Sequence, residues 1–313
     1  MGPPPVGLAP RRSVKREVSF FSDGLKLSGV LVTPDMPDGD VLLPGVVICH
    51  GFSQHKEIFG LSYAEALSRH GFACLTFDYR GFGGSEGQRG RLIPLLEVTD
   101  TWNALTFLGA QPEVDATRLG ALGTSFGGSV VLHAAAADDR IRAAVCFDAI
   151  GSGRRWLRGL RRHGEWVEFL ERLDKERVNR VLTGASEYVE YNVINPYVDH
   201  PGLKAAHEDR RRRFPDWQEE LTLETALAVI QFAPEELAHL ISPRALMVIY
   251  DNNIRAFATE EARNIYIRAE EPKSLVAIPA SSQQYGHYFG EELEHWISLS
   301  ADWFHKHLNV SGT

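Results

Sequence analysis

Six short apolar runs constrain the chain more than anything else in it: Gly45–Cys49, Ala73–Phe77, Leu119–Leu122, Ala143–Phe147, Ala245–Tyr250 and Ser274–Ile278. Runs of this length without polar alternation are what strands buried on both faces require. Stretches with helical spacing lie between them, at about Phe59 to His70, Leu92 to Leu108, Ser125 to Ala137 and Thr259 to Arg268, with a last one from Glu291 to Leu308. A strand that reaches its parallel neighbour only through a helix gives an α/β fold with a mostly parallel central sheet flanked by helices. Residues 16–34 alternate on either side of Ser22-Asp23-Gly24 and predict an antiparallel hairpin. The rhythm stops after Ile150 and returns at Ala245. Residues 151–242 carry no long β-branched run but many arginines, with Trp156, Trp166, Phe169, Tyr188, Tyr191 and Trp217 at helix-like spacing. The expected organisation is a disordered segment 1–15, a core made of 16–150 and 243–313, and a helical cap inserted at 151–242.

Against 33 Lys+Arg stand 41 Asp+Glu, a net charge of −8, which is the wrong sign for a chain whose main partner is nucleic acid. The arginine groups at 154–162 and 210–213 are interleaved with carboxylates and read as solvated helix faces. Cys49, Cys74 and Cys146 each sit inside an apolar run without CxxC pairing, which suits buried thiols in a reducing cytoplasm. No apolar stretch is long enough for a membrane span or a signal h-region. No membrane partner is expected, and a homo-oligomer stays open.

The chemistry-bearing motif is Gly123-Thr124-Ser125-Phe126-Gly127-Gly128, placed between a buried strand and a helix. A strand turning at once into a helix puts residue 125 at strained dihedrals and lifts its hydroxyl above the sheet. Small residues at 123 and 127 let the neighbouring backbone pass. The helix N-terminus then presents backbone N–H groups to a developing oxyanion.

Two further turns follow strands in the same way, His50-Gly51-Phe52-Ser53 and Asp78-Tyr79-Arg80-Gly81-Phe82-Gly83-Gly84-Ser85. With these three motifs in this order, the sequence resembles the α/β-hydrolase superfamily from about Arg16 onward, nearest to esterase-like and polyketide-transferase-like serine hydrolases with a helical cap. The resemblance implies Ser125 as nucleophile and the backbone N–H groups of Phe52 and Phe126 as the oxyanion hole. It gives His50, Asp78 and Arg80 turn-stabilising roles.

The general base should be a histidine in the loop after the last strand, since an imidazole takes and returns a proton near neutrality. Gly286-His287 fits that loop, although relatives place the histidine about four residues beyond the strand-ending proline, where Gln283 stands here. Either the loop is longer and His287 is the base, or the base is lost. The family's usual acid position after the seventh strand falls on Ile254. Two carboxylates at neighbouring strand ends remain, Asp148 and Asp251, and both stay open. No HExxH or paired Cys/His spacing suggests a metal, and no cofactor is implied.

The expected function is a cofactor-free serine hydrolase or acyltransferase acting on a small carbonyl substrate, an ester, lactone, amide or thioester, through a Ser125 acyl-enzyme. The alternative is a hydrolase-fold protein with a degenerate triad, Ile254 in the acid position, that binds a partner or catalyses a non-hydrolytic rearrangement.

Overall fold

The computed structural model describes residues 12–35, 41–196, 208–215, 217–251, 256–279 and 290–308. An eight-stranded sheet runs through the molecule in the order β1-β2-β4-β3-β5-β6-β9-β10. Its strands are β1 (Ser13–Ser22), β2 (Leu25–Pro34), β3 (Leu43–Cys49), β4 (Ala73–Phe77), β5 (Val114–Thr124), β6 (Ile141–Phe147), β9 (Ala245–Asp251) and β10 (Lys273–Ile278). Every pairing from β4 to β10 is parallel, while β1 and β2 join antiparallel at one edge. The hairpin begins earlier than the expected 1–15 segment allows, because Ser13, Val14 and Lys15 pair with Pro34, Thr33 and Val32. Once β2 extends to Pro34, its partner strand continues with it. Residues 1–11 lie outside the described residues.

Strand alternation divides the core in two. On one face Val47, Cys49, Ala144 and Cys146 pack under α2 (Pro94–Gly109), α3 (Phe126–Ala137) and α9 (Ala256–Arg268). On the other, Val46, Ile48, Val145 and Phe147 pack under α1 (Gly60–Ser68) and α10 (Gly290–Leu308). Burying a Val or Ile side chain on either face stabilises the fold by about 1.5–3 kcal/mol. The three cysteine thiols are free and buried, as their apolar neighbours suggest.

Residues 151–242 contribute no strand to the central sheet among the described residues. They form α4 (Gly153–Gly159), α5 (His163–Thr183), β7 (Tyr188–Glu190), α6 (Tyr191–Ile194), α7 (residues 208–213), β8 (Glu220–Thr222), α8 (Glu224–Ile230) and a 3-10 helix over Pro234–Ile241. The two short strands β7 and β8 pair antiparallel in a sheet of their own. The reading of Arg154–Arg162 as a solvated face fails at two positions. Arg155 Nη2 lies 2.6 Å from both Glu235 and Glu261, and the Arg161 guanidinium donates to the carbonyls of Leu157, Val193 and Ile194. Burial pushes the Arg161 guanidinium down to about 10, against the opposing pull of the Glu165 carboxylate.

Candidate active site

Ser125 stands between the end of β5 and the first residue of α3 with φ 53° and ψ −123°, a left-handed φ that a serine adopts only when its surroundings impose it. The imposition comes from close backbone approach. A Cβ at residue 123 would lie 2.2 Å from the Gly127 carbonyl oxygen, and one at residue 127 would lie 2.3 Å from the carbonyl oxygens of Cys49 and His50. The elbow is therefore clasped against the loop that follows β3. The Ser125 N–H still bonds to the Phe147 carbonyl at 2.8 Å, so the turn stays tied to β6.

The Phe126 N–H is the first of α3, and a helix leaves that donor without an intrahelical acceptor. Neither it nor the Phe52 N–H bonds to an acceptor among the described residues. The two side chains meet edge to face at 5.4 Å, and Trp156 from α4 packs on both, at 5.4 Å from Phe52 and 6.0 Å from Phe126. Tyr191 and Trp217 continue this aromatic layer over Phe52, and Trp217 Nε1 donates to the Ser53 carbonyl at 2.6 Å. The loop from Cys49 to Ile58 is thus held between the elbow below and the 151–242 segment above.

The loop is anchored by a buried ion pair that the sequence motifs did not announce. Lys56 Nζ lies 2.8 Å from Asp78 Oδ2, and the Lys56 backbone N–H donates to Asp78 Oδ1 at 2.7 Å. Asp78 also accepts the Gly84 N–H at 2.9 Å, while Arg80 binds Asp100. His55 Nδ1 donates to Glu57 Oε2 at 2.7 Å, and Lys56 Nζ reaches Glu57 Oε1 at 2.8 Å. Burial would raise the Glu57 carboxyl, but hydrogen bonds from His55 and Lys56 outweigh it and hold the group at about 2. His55, Glu57 and Asp78 bring ligand-type atoms within 4.8 Å of one another. The Lys56 ammonium sits against both carboxylates and supplies the positive charge that such a group calls for.

His50 has Nδ1 against the Gly51 carbonyl at 3.2 Å and its ring edge-on to Tyr79 at 4.8 Å. Burial pushes its imidazole down to about 4, so it is neutral at pH 7.

Asp148 and Asp251 end adjacent strands of the sheet, β6 and β9, with Asp148 at φ 48° and half-buried and Asp251 fully buried. Asp148 Oδ1 accepts the Asp251 backbone N–H at 3.0 Å. The remaining positions singled out from the sequence, His287, Gln283 and Ile254, lie outside the described residues.

The topology and the elbow geometry are those of an α/β hydrolase, and the chain belongs to that family. A family model described as serine aminopeptidase, S33, matches residues 44–180. The sequence is 30% identical over 284 residues to the uncharacterized 31.7 kDa protein of the traX-finO intergenic region of Escherichia coli, covering 90% of this chain and 98% of that protein. It is 27% identical over 279 residues to a thiohydrolase of Eupenicillium brefeldianum, covering 85% of each. Among solved structures, that of the hypothetical protein PA2218 from Pseudomonas aeruginosa superimposes with a TM-score of 0.80 at 25% identity, over 95% of this chain and 94% of that one. No helix among the described residues is long and apolar enough to cross a membrane.

Proposed function

We propose that the protein is a cofactor-free serine hydrolase that cleaves an ester or thioester through an acyl-enzyme on Ser125. The observation that carries this reading is the serine at positive φ beside two backbone N–H groups, those of Phe52 and Phe126, that have no acceptor among the described residues. In this reading Ser125 Oγ attacks the substrate carbonyl while His287 takes its proton, and the N–H pair stabilises the oxyanion. The leaving alcohol or thiol receives that proton as the acyl-enzyme forms, and water then releases the acid by the same steps in reverse. Either Asp148 or Asp251 orients the imidazole. Residues 151–242 act as the cap, and their aromatic layer over Phe52 suits a substrate with an apolar body. The thiohydrolase relative favours a thioester among the carbonyl substrates. An acyltransferase differs only in the nucleophile that discharges the acyl-enzyme.

The test is labelling by a fluorophosphonate, which reports an activated serine without a known substrate. Wild type should label and hydrolyse p-nitrophenyl esters, and Ser125→Ala should do neither, with turnover lower by about 10⁴-fold or more. A protein that folds but does not label would point instead to the degenerate-triad alternative that Ile254 in the acid position suggests.

A further inference from the structure

The residue after Phe52 is strained, and a restraint on it comes from outside its own loop. Residues Gly51 to Gln54 form a four-residue turn closed by the Gln54 N–H on the Gly51 carbonyl at 3.2 Å, with Phe52 and Ser53 as its central pair. Ser53 stands at φ 53°, whereas Phe52 does not take a positive φ. A positive φ at the third residue of a turn is ordinarily a place for glycine or asparagine. A serine offsets such strain when its hydroxyl bonds to nearby backbone, but Ser53 Oγ is buried without a hydrogen-bond partner among the described residues. A residue in this state persists only where its surroundings over-determine it.

Trp217 is part of those surroundings. Its Nε1–H donates to the Ser53 carbonyl at 2.6 Å in a buried contact. The indole is itself fixed: the Trp217 N–H bonds to the Phe214 carbonyl at 3.0 Å, Tyr191 meets the ring at 5.4 Å, and the Arg210 guanidinium lies over it at 5.1 Å. Phe214, from the same stretch, packs edge to face on His55 at 5.4 Å. The loop has two other anchors, the Cys49 and His50 carbonyls against residue 127 and the bonds of Lys56 to Asp78. Between them, among the described residues, the bond from Trp217 is the one that reaches the backbone of residues 52 and 53 from outside the loop.

We propose that Trp217 is a positioning residue for the oxyanion hole: its bond to the Ser53 carbonyl holds Ser53 at positive φ and so keeps the Phe52 N–H beside that of Phe126. This deepens the serine-hydrolase reading and rests on it. Without the bond Ser53 relaxes toward negative φ, and the turn that carries the Phe52 N–H changes course. A donor helps the transition state only where the oxyanion forms, and a misplacement of about 1 Å costs about 10²-fold in rate. The aromatic rings around the loop stay, so substrate binding changes less than turnover.

The experiment removes the indole N–H and then the strain. Trp217→Phe keeps an aromatic ring against Tyr191 and Arg210 but loses the donor. It should lower kcat for p-nitrophenyl butyrate by about tenfold or more with KM within about threefold, and slow fluorophosphonate labelling in parallel. Adding Ser53→Gly, which adopts a positive φ freely, should restore at least about fivefold of the loss. Adding Ser53→Ala, which removes the same hydroxyl but keeps the strain, should not. If Trp217→Phe does not fold, 3-benzothienylalanine at position 217 serves, because it keeps the bicyclic ring and lacks the N–H. If no ester is turned over, the labelling rate is the readout. A variant that keeps wild-type kcat, a change confined to KM, or a pair with Ser53→Gly no more active than Trp217→Phe alone overturns the positioning role. So does a loss that matches the unfolded fraction found by urea denaturation. A wild type that neither labels nor hydrolyses sinks the hydrolase reading instead, and the proposal falls with it.

Discussion

The side chain of Asp148 accepts the backbone N–H of Asp251 at 3.0 Å, so the two candidate acids are not independent: one caps the strand that the other ends. In Asp148→Asn the amide oxygen can still take the Asp251 N–H, and Asp251→Asn leaves that backbone contact untouched. Both substitutions therefore preserve the strand ends while removing one charge. Whichever carboxylate orients the base should lose about 10⁴-fold in kcat on conversion to Asn, and the other should stay within a few fold. Steady-state kinetics on one p-nitrophenyl ester settle the pair. Equal, small effects would mean that neither carboxylate serves the base.

Trp156 packs on both Phe52 and Phe126, the two residues whose N–H groups form the proposed oxyanion hole. Trp156→Ala should lower kcat by about tenfold or more while KM moves less, because a shifted donor weakens the transition state more than substrate binding. Trp156→Phe should recover most of the loss. A change confined to KM would assign Trp156 to the substrate pocket alone.

Arg155 joins α4 to Glu235 and to Glu261 of α9, and Glu261 also accepts the Gly151 and Ser152 N–H groups at 2.7 and 3.1 Å. Burial raises the Glu261 carboxyl despite Arg155 beside it. Arg155→Met should destabilise by about 3–5 kcal/mol, since it strands buried carboxylates without a counter-charge. Urea denaturation should show a larger loss at pH 8 than at pH 5, where protonation relieves the stranded carboxyls.

His50 is held neutral to about pH 4 by burial, while the unfolded chain takes up that proton near its ordinary value of 6.5. Above pH 6.5 neither state binds the proton and His50 contributes no pH dependence. Between 6.5 and 4 the unfolded state binds more protons, so stability falls as pH falls, by about 3 kcal/mol across the window. His50→Gln should flatten that part of the stability profile. An unchanged slope between pH 6.5 and 4 would mean that other groups set it.

The fold was legible because strands buried on both faces leave an uninterrupted apolar signature, as Val46-Val47-Ile48 and Val145-Cys146-Phe147 do. β5 is longer than its apolar core, because half-buried Asp115 and Arg118 and exposed Thr117 form a hydrogen-bonded first half of the strand before its register shifts at Leu119/Gly120. β7 and β8 are three residues each, too short to show a period. The elbow was readable from its glycines, since the backbone approach at 123 and 127 leaves no room for a side chain. The His55-Lys56-Glu57 cluster was not, because its role depends on Asp78, twenty-two residues away, and on Phe214 from the far side of the sequence. A run of charged and titratable residues inside a loop otherwise devoted to backbone donors was the only signal.

The pairing of Lys56 with Asp78 makes the loop after β3 and the turn after β4 a single transplantable unit. Asp78 grips the Lys56 ammonium and the N–H groups of Lys56 and Gly84 together, so neither segment keeps its shape if exchanged without the other. Recombining this chain with a relative therefore has natural crossover points before Leu43 and after Ser85, and a junction between Lys56 and Asp78 divides a buried charge from its counter-ion.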